Sequence, residues 1–324
     1  MTPRPITVDP KAWQHPADRG ALAALKKVKG LDEVIQRVVG LTRERSLRLI
    51  HLASSVRVGP TQFPRVHKAM ESAAATFGVP APEVFVSQSP FWNAAAIGVE
   101  EPFVVIQSSF LSQIDDEELP AVMGHELGHI LAGHALYKTL LWLLMNISFS
   151  IIRIPGLNLL IGPLILALRE WDRKSELTAD RAGLLATQDE EPNYRVLMKL
   201  AGGSDLGQMN LNEFFVQAAE YEDAGAGVDN VHKLLNMLWN THPFAVIRLK
   251  ELKTWVSDGS FQTILDGEAP PGTESEDFAG AREYYKQQFD QGREKVQATV
   301  GGVGDELQKA AKDLGDAFRR FLGS

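Results

Sequence analysis

AVMGHELGHILAGHALY, residues 121–137, places three histidines in one stretch of helical pattern. His125 and His129 are four residues apart, about 40° from alignment at 100° per residue, so both imidazoles reach one ion from the same helix face. Glu126 stands next to the first of them. A zinc ion held by such a pair lowers the pKa of water to about 7, and an adjacent glutamate that is not a ligand takes the proton as the oxygen attacks a carbonyl. His134 lies half a turn round a continuous helix from His125 and cannot share that ion unless the helix breaks between them. An extended HExxHxxGxxH pattern would need Gly and His where Ala132 and Ala135 stand. His134 is therefore expected to be structural, or hydrogen-bonded on the opposite face.

Two imidazoles do not complete a zinc site. Downstream, SELTADRAG, residues 175–183, offers Glu176 and Asp180, four apart and on one face of a helical pattern. Glu176 would complete a set of two histidines and one glutamate with a fourth position open to water, and Asp180 would orient a ligand imidazole from behind. The chain has no cysteine, which leaves imidazole and carboxylate as the only strong zinc donors and excludes a disulfide framework.

Upstream of the histidines, EVFVS, NAAAIGV and PFVVIQS are short runs of β-branched or small residues separated by Pro and Gly, which predicts a small antiparallel sheet. Asp115, three residues before Glu118, marks a helix start, and Pro120 is tolerated there because it falls near the first turn. The N-terminal part, 1–60, reads as an extension and a helical layer, with apolar positions from Leu22 to Ile50 broken at Gly30 and Gly40.

Thr139 to Leu168 carries one charge, Arg153, in thirty residues. Pro155 and Gly156 divide it into halves that each fall short of the ~20 residues a spanning helix needs. A buried helical hairpin and a hairpin dipping into a membrane surface stand side by side as readings of 139–168. Helical patterns continue to about Val256, within a core placed at 61–265. An acidic linker follows at 266–277, and the tail at 278–324 repeats apolar residues from Val300 to Phe321 at spacings of three and four, which reads as an amphipathic helix; its mixed charges favour a helix folded back on the body over one that meets a lipid surface or a partner.

With 324 residues, 44% of them apolar, the chain can bury a sizeable core. A formal charge of −8 without a basic stripe argues against nucleic acid as a partner. Three prolines among the first ten residues and no apolar run there do not suit a secretory signal, so a cytoplasmic location is expected, with peripheral attachment to the inner face of the cell membrane as its variant.

HELGH, then ELTADRAG, then THPFAVIRLKEL, with NAAAIG upstream, resemble the HtpX and CAAX-prenyl-protease (Ste24-like) family of gluzincin endopeptidases over roughly Pro64 to Trp255. The resemblance implies a zincin-like core in an α+β, mainly helical chain, and one zinc ion per chain. It implies that His125, His129 and Glu176 are zinc ligands, that Glu126 is the base, and that Asp180 supports a ligand. It further implies that His242 donates to the oxyanion or the substrate carbonyl, that Arg248 pairs with Asp180, and that Asn93 and Ala94 line a strand along which an extended polypeptide lies. Integral members of that family begin with transmembrane helices; no apolar run of that length precedes the core here. The expected activity is zinc-dependent endopeptidase. The rival is a non-catalytic, membrane-associated scaffold with a structural zinc, which would normally use four protein ligands where three convincing ones are found.

Overall fold

The computed structural model describes residues 3–28, 31, 34–35, 44–98, 100–146, 157–223 and 244–269. The chain divides into two compact units, Met1–Phe278 and Ala279–Ser324, and all described residues belong to the first. His242, the hairpin turn at Pro155 and Gly156, the linker beyond residue 269 and the tail lie outside the described residues.

Two short helices open the chain, α1 (Pro10–Trp13) and α2 (Pro16–Leu25). Each starts on a proline, whose missing N–H costs nothing in a first turn, and the side chains of Asp9 and His15 cap them by accepting from the amides of Lys11 and Ala17. Helix α3 (Glu44–Ser54), strand β1 (Val56–Arg57) and helix α4 (Pro64–Phe77) follow, then β2 (Val84–Ser87), β3 (Ala94–Ile97) and β4 (Phe103–Gln107). The remaining helices are α5 (Ser108–Leu111), α6 (Leu119–Leu131), α7 (Ala135–Asn146), α8 (Leu157–Thr187), α9 (Glu190–Gly202), α10 (Leu211–Asp223), α11 (Ala245–Ser257) and α12 (Ser260–Leu265).

The four strands are ordered β1-β2-β4-β3. β2 and β4 run parallel, with Val84 opposite Val104, while β1 and β3 are antiparallel to their neighbours. The sheet is therefore mixed rather than antiparallel as expected from the sequence. The reason lies in β4: Phe103 to Ile106 are all buried, as suits a strand with neighbours on both sides, and the small residues of β3 fold back along its outer edge. β1 was also missed, because two residues are too few to show a period.

The helical core is organised around α8, a single helix of 31 residues where the sequence suggested a hairpin arm followed by a separate amphipathic helix. Helix α6 lies along it at unusually close range. A Cβ built on Gly124 would sit 2.3 Å from Ala186 Cβ, and one on Gly128 would sit 2.4 Å from Ala182 Cβ. On the facing side, a Cβ on Gly183 would meet the carbonyl oxygen of Ala121 at 2.9 Å. The two helices can touch only because these positions carry no side chain, since interaxial distance is set by what stands at the contact.

Leu140, Leu141, Leu143 and Leu144 of α7 pack with Leu164, Leu168 and Trp171 of α8 and with Leu25. The described arms of the apolar hairpin thus bury one face internally. Their other side leaves Trp142, Met145 and Leu166 about half exposed. Among the described residues no helix is long and apolar enough to cross a membrane.

Candidate metal centre

Proline at the start of α6 and the close seating of that helix on α8 bring His125 and His129 opposite Glu176. His125 Nε2 lies 3.4 Å from Glu176 Oε2, and His129 Nε2 lies 3.2 Å from Glu176 Oε1. The three donor atoms all fall within 4.8 Å of one another. Zinc bonds of about 2.0–2.2 Å arranged tetrahedrally put neighbouring donors about 3.3 Å apart, so the spacing fits this ion.

The expected supports that fall among the described residues lie close by, while His242 falls outside them. Asp180 Oδ1 is 3.1 Å from His125 Nδ1, the nitrogen that faces away from Glu176. Arg248, on α11, grips Asp180 with two bonds, Nε to Oδ2 at 2.8 Å and Nη2 to Oδ1 at 2.5 Å, and its Nη1 lies 3.3 Å from Glu176 Oε2. Glu126 is buried on the wall of the cleft that opens onto this site. Ala94, the first residue of β3 at the end of the strand order, and Asn93 just before it line the same cleft.

Two groups have partners that were not foreseen. Lys138 Nζ bonds Asp172 Oδ1 and Glu176 Oε1, each at 2.7 Å. Asp172, Glu176 and Asp180 recur every four residues on α8, a pattern that the sequence offered and that marks one face. His134 is the second. Helix α6 ends at Leu131, and two residues on Gly133, with a φ of 72°, takes the left-handed conformation that closes a helix, with Gly133 N bonded to Ile130 O and His134 N to His129 O. That reversal swings His134 over the ligand helix, and its Nδ1 stands 3.0 Å from His129 Nδ1. The opposite-face position expected from an unbroken helix is thus corrected: Gly133, legible as a helix stop, breaks it.

The charges explain how the two imidazoles differ. The cleft is lined by four carboxylates, Glu126, Asp172, Glu176 and Asp180, against two fixed cations, Lys138 and Arg248. With neutral imidazoles the set carries a net of two negative charges, which a divalent cation balances. Burial opposes charge on His125, but the carboxylates of Asp180 and Glu176 overcome it and lift the ring to about 9. Burial and the positive charge of Lys138 hold His129 well below the ordinary histidine value. Burial also works against Asp180 ionising, yet Arg248 keeps its carboxyl below the usual range. Lys138 and Arg248 are desolvated, and their carboxylate partners nevertheless push both upward.

Comparison with known proteins gives the family. Peptidase family M48 matches over residues 60–256. The plastoglobule-localized metallopeptidase 48 of Arabidopsis thaliana is 31% identical over 264 residues, covering 80% of this chain and 76% of the relative. A protease HtpX homolog of Tropheryma whipplei (strain Twist) is 26% identical over 234 residues, 64% of this chain and 78% of the relative. A protease HtpX homolog 1 of Streptomyces coelicolor is 27% identical over 244 residues, 65% and 75% respectively. No solved structure matches. With the family match spanning well over half of its length, the chain belongs to peptidase family M48, the zinc-dependent metalloproteases.

Proposed function

We propose that this metalloprotease is an endopeptidase in which His125, His129 and Glu176 hold the zinc ion and Glu126 is the general base, and that it takes a polypeptide as an extended strand along β3. The observation that carries the reading is the approach of three donors at zinc spacing inside a cleft of about 770 Å³ that an edge strand borders. Zinc, when bound, supplies a Lewis acid and brings the pKa of water down to about 7. The residues do the rest. Main-chain pairing at Asn93 and Ala94 sets the peptide's register and orients the scissile carbonyl towards Glu126. The Glu126 carboxylate accepts a proton from water as the new C–O bond forms, and returns it to the amide nitrogen as the C–N bond breaks. His242 donates to the oxygen on which negative charge develops. Backbone pairing is indifferent to most side chains, so broad specificity towards unfolded chains is expected.

The test is metal analysis joined to chelator-sensitive cleavage of an unfolded protein such as casein. Glu126→Gln should keep its zinc and lose about 10²- to 10⁴-fold in kcat. Undiminished turnover removes Glu126 as base. Glu176→Ala should purify with less than one zinc, and a full complement in that variant removes Glu176 from the ligands. A structural zinc in a scaffold is disfavoured by the count among the described residues, where three protein donors leave a corner open to water.

The same proposal places the exposed face of Trp142, Met145 and Leu166 against a lipid surface, at the inner face of the cell membrane. The full chain should sediment with anionic phospholipid vesicles, and Trp142→Ser with Leu166→Ser should release it. Complete recovery of the unaltered chain in the supernatant sinks the lipid contact and leaves the protease reading standing.

A further inference from the structure

The cleft is not uniform along β3. Its far end meets α7, where Thr139 Oγ1 accepts the Gly98 N–H at 3.1 Å and where Lys138 and Asp172 bring charge to the wall. The near end, where the chain enters the strand, is built from Trp92, Phe110 of α5, Val122 of α6 and Val196, Leu197 and Leu200 of α9. No side chain in that group carries charge. Val122 stands three residues before His125 on the same helix, about one turn from the metal donors, so this wall adjoins the reacting bond.

The wall is held from behind. Ser109 Oγ donates to Phe91 O at 2.6 Å and Gln107 N donates to Asn93 O at 2.9 Å, so the backbone is pinned on both sides of Trp92. Its indole packs on Phe110, with 6.2 Å between ring centroids, and Phe110 is itself buried. Across the cleft, α9 is anchored at the same end. The buried Lys199 donates to Gln113 O at 2.8 Å, two residues beyond α5, and to Glu118 Oε2 at 2.7 Å, just ahead of α6. Val196 and Leu200 stand three residues before that lysine and one after it. A pocket whose walls do not yield discriminates by size and polarity.

Main-chain pairing along β3 sets a register without choosing among bonds, and successive side chains of an extended peptide turn to opposite faces, so one side chain next to the scissile bond faces this wall. Ala94 and Ala95, which also line the cleft, present only methyl groups and leave room for it. We infer that Trp92, backed by Phe110, is a specificity-determining residue, and that it forms with Val122, Val196, Leu197 and Leu200 a pocket for a large apolar side chain of the substrate, of the size of Leu, Met or Phe, beside the bond that is cut. The inference rests on the endopeptidase reading above and narrows it: an unfolded chain is accepted anywhere along its backbone but is cut where such a side chain falls.

The test uses the full zinc-loaded chain and unfolded casein, with the cut sites read by mass spectrometry. Leu, Met and Phe should be enriched at one fixed position beside the cut bonds, and a peptide carrying Phe there should have a kcat/KM about 10- to 100-fold above that of its Ser counterpart. Trp92→Ala should abolish that difference, while Phe91→Ser, which changes an exposed ring outside the cleft, should leave it unaltered. Leu200→Glu, at a position partly in solvent, should turn the preference towards Lys or Arg at the same place, which keeps the inference testable where Trp92→Ala does not fold. Cut sites with no positional preference overturn it, and so does a preference that neither variant alters. If the unaltered chain cuts nothing, the endopeptidase reading falls by itself, and the pocket is decided by fluorescence anisotropy of the two labelled peptides on the same chain: tighter binding of the Phe peptide supports it and equal binding overturns it.

Discussion

His125 and His129 sit one turn apart on α6 and face the same glutamate, yet opposite means hold them. His125 leans on a charged pair, Asp180 and Arg248, and is drawn towards protonation. His129 leans on another imidazole and lies deep in the core, where charge is disfavoured. The outer imidazole sits in a negative field, which attracts a cation, while the inner one is buried where charge is opposed.

The contrast can be broken most severely at Arg248. Replacing it with Met strands Asp180 and Glu176 as buried carboxylates with one cation fewer, which should cost about 3–5 kcal/mol in urea unfolding measured with chelator present. The pH dependence carries a sign. Asp180 is held below the ordinary carboxylate value, so its contribution to stability is complete above about pH 4 and is lost as pH falls through its lowered folded value. Arg248→Met should flatten that acid limb, and an unchanged limb would separate Asp180 from Arg248.

Next in size, Asp180→Asn should weaken zinc binding about 10- to 100-fold while leaving the His129 ring resonances in place. Movement of both rings would mean that the two supports are not independent. Gly128→Ala pushes a methyl group against Ala182 and should cost about 1–3 kcal/mol in thermal unfolding, with much of the loss recovered in Gly128→Ala/Ala182→Gly. At the bottom of the scale, Asp116→Ala removes an ion pair with Arg65 that is largely in solvent and should change stability by less than about 1 kcal/mol. A larger effect there would show that exposed charge matters more in this fold than burial predicts.

What was legible in the sequence followed a short period. HELGH and ELTADRAG each put their functional side chains on one face of one helix, and the pairing of Arg248 with Asp180 came with the family pattern. Strands β2, β3 and β4 were legible one by one, but their order was not, because alternation within β2 or β4 carries no record of which neighbour will run parallel to it. His134 was misplaced by treating 121–137 as a single helix, although Gly133 marks the stop. The bonds of Asp18 to Trp171 and Thr178 could not be found at all: they depend on α2 packing against α8, a contact between segments distant in sequence that no local pattern encodes. Lys138 was hidden for a related reason, since a lysine at the edge of an apolar run resembles a solvent-facing flank until Asp172 and Glu176 are seen beside it.

Gly124, Gly128 and Gly183 have a consequence beyond packing. The distance between the helix bearing His125 and His129 and the helix bearing Glu176 is gauged by atoms these glycines lack, so the span between the candidate donors is governed by positions that do not themselves carry a donor. Screening for altered metal preference would do better to begin at that glycine seam than at the coordinating side chains themselves.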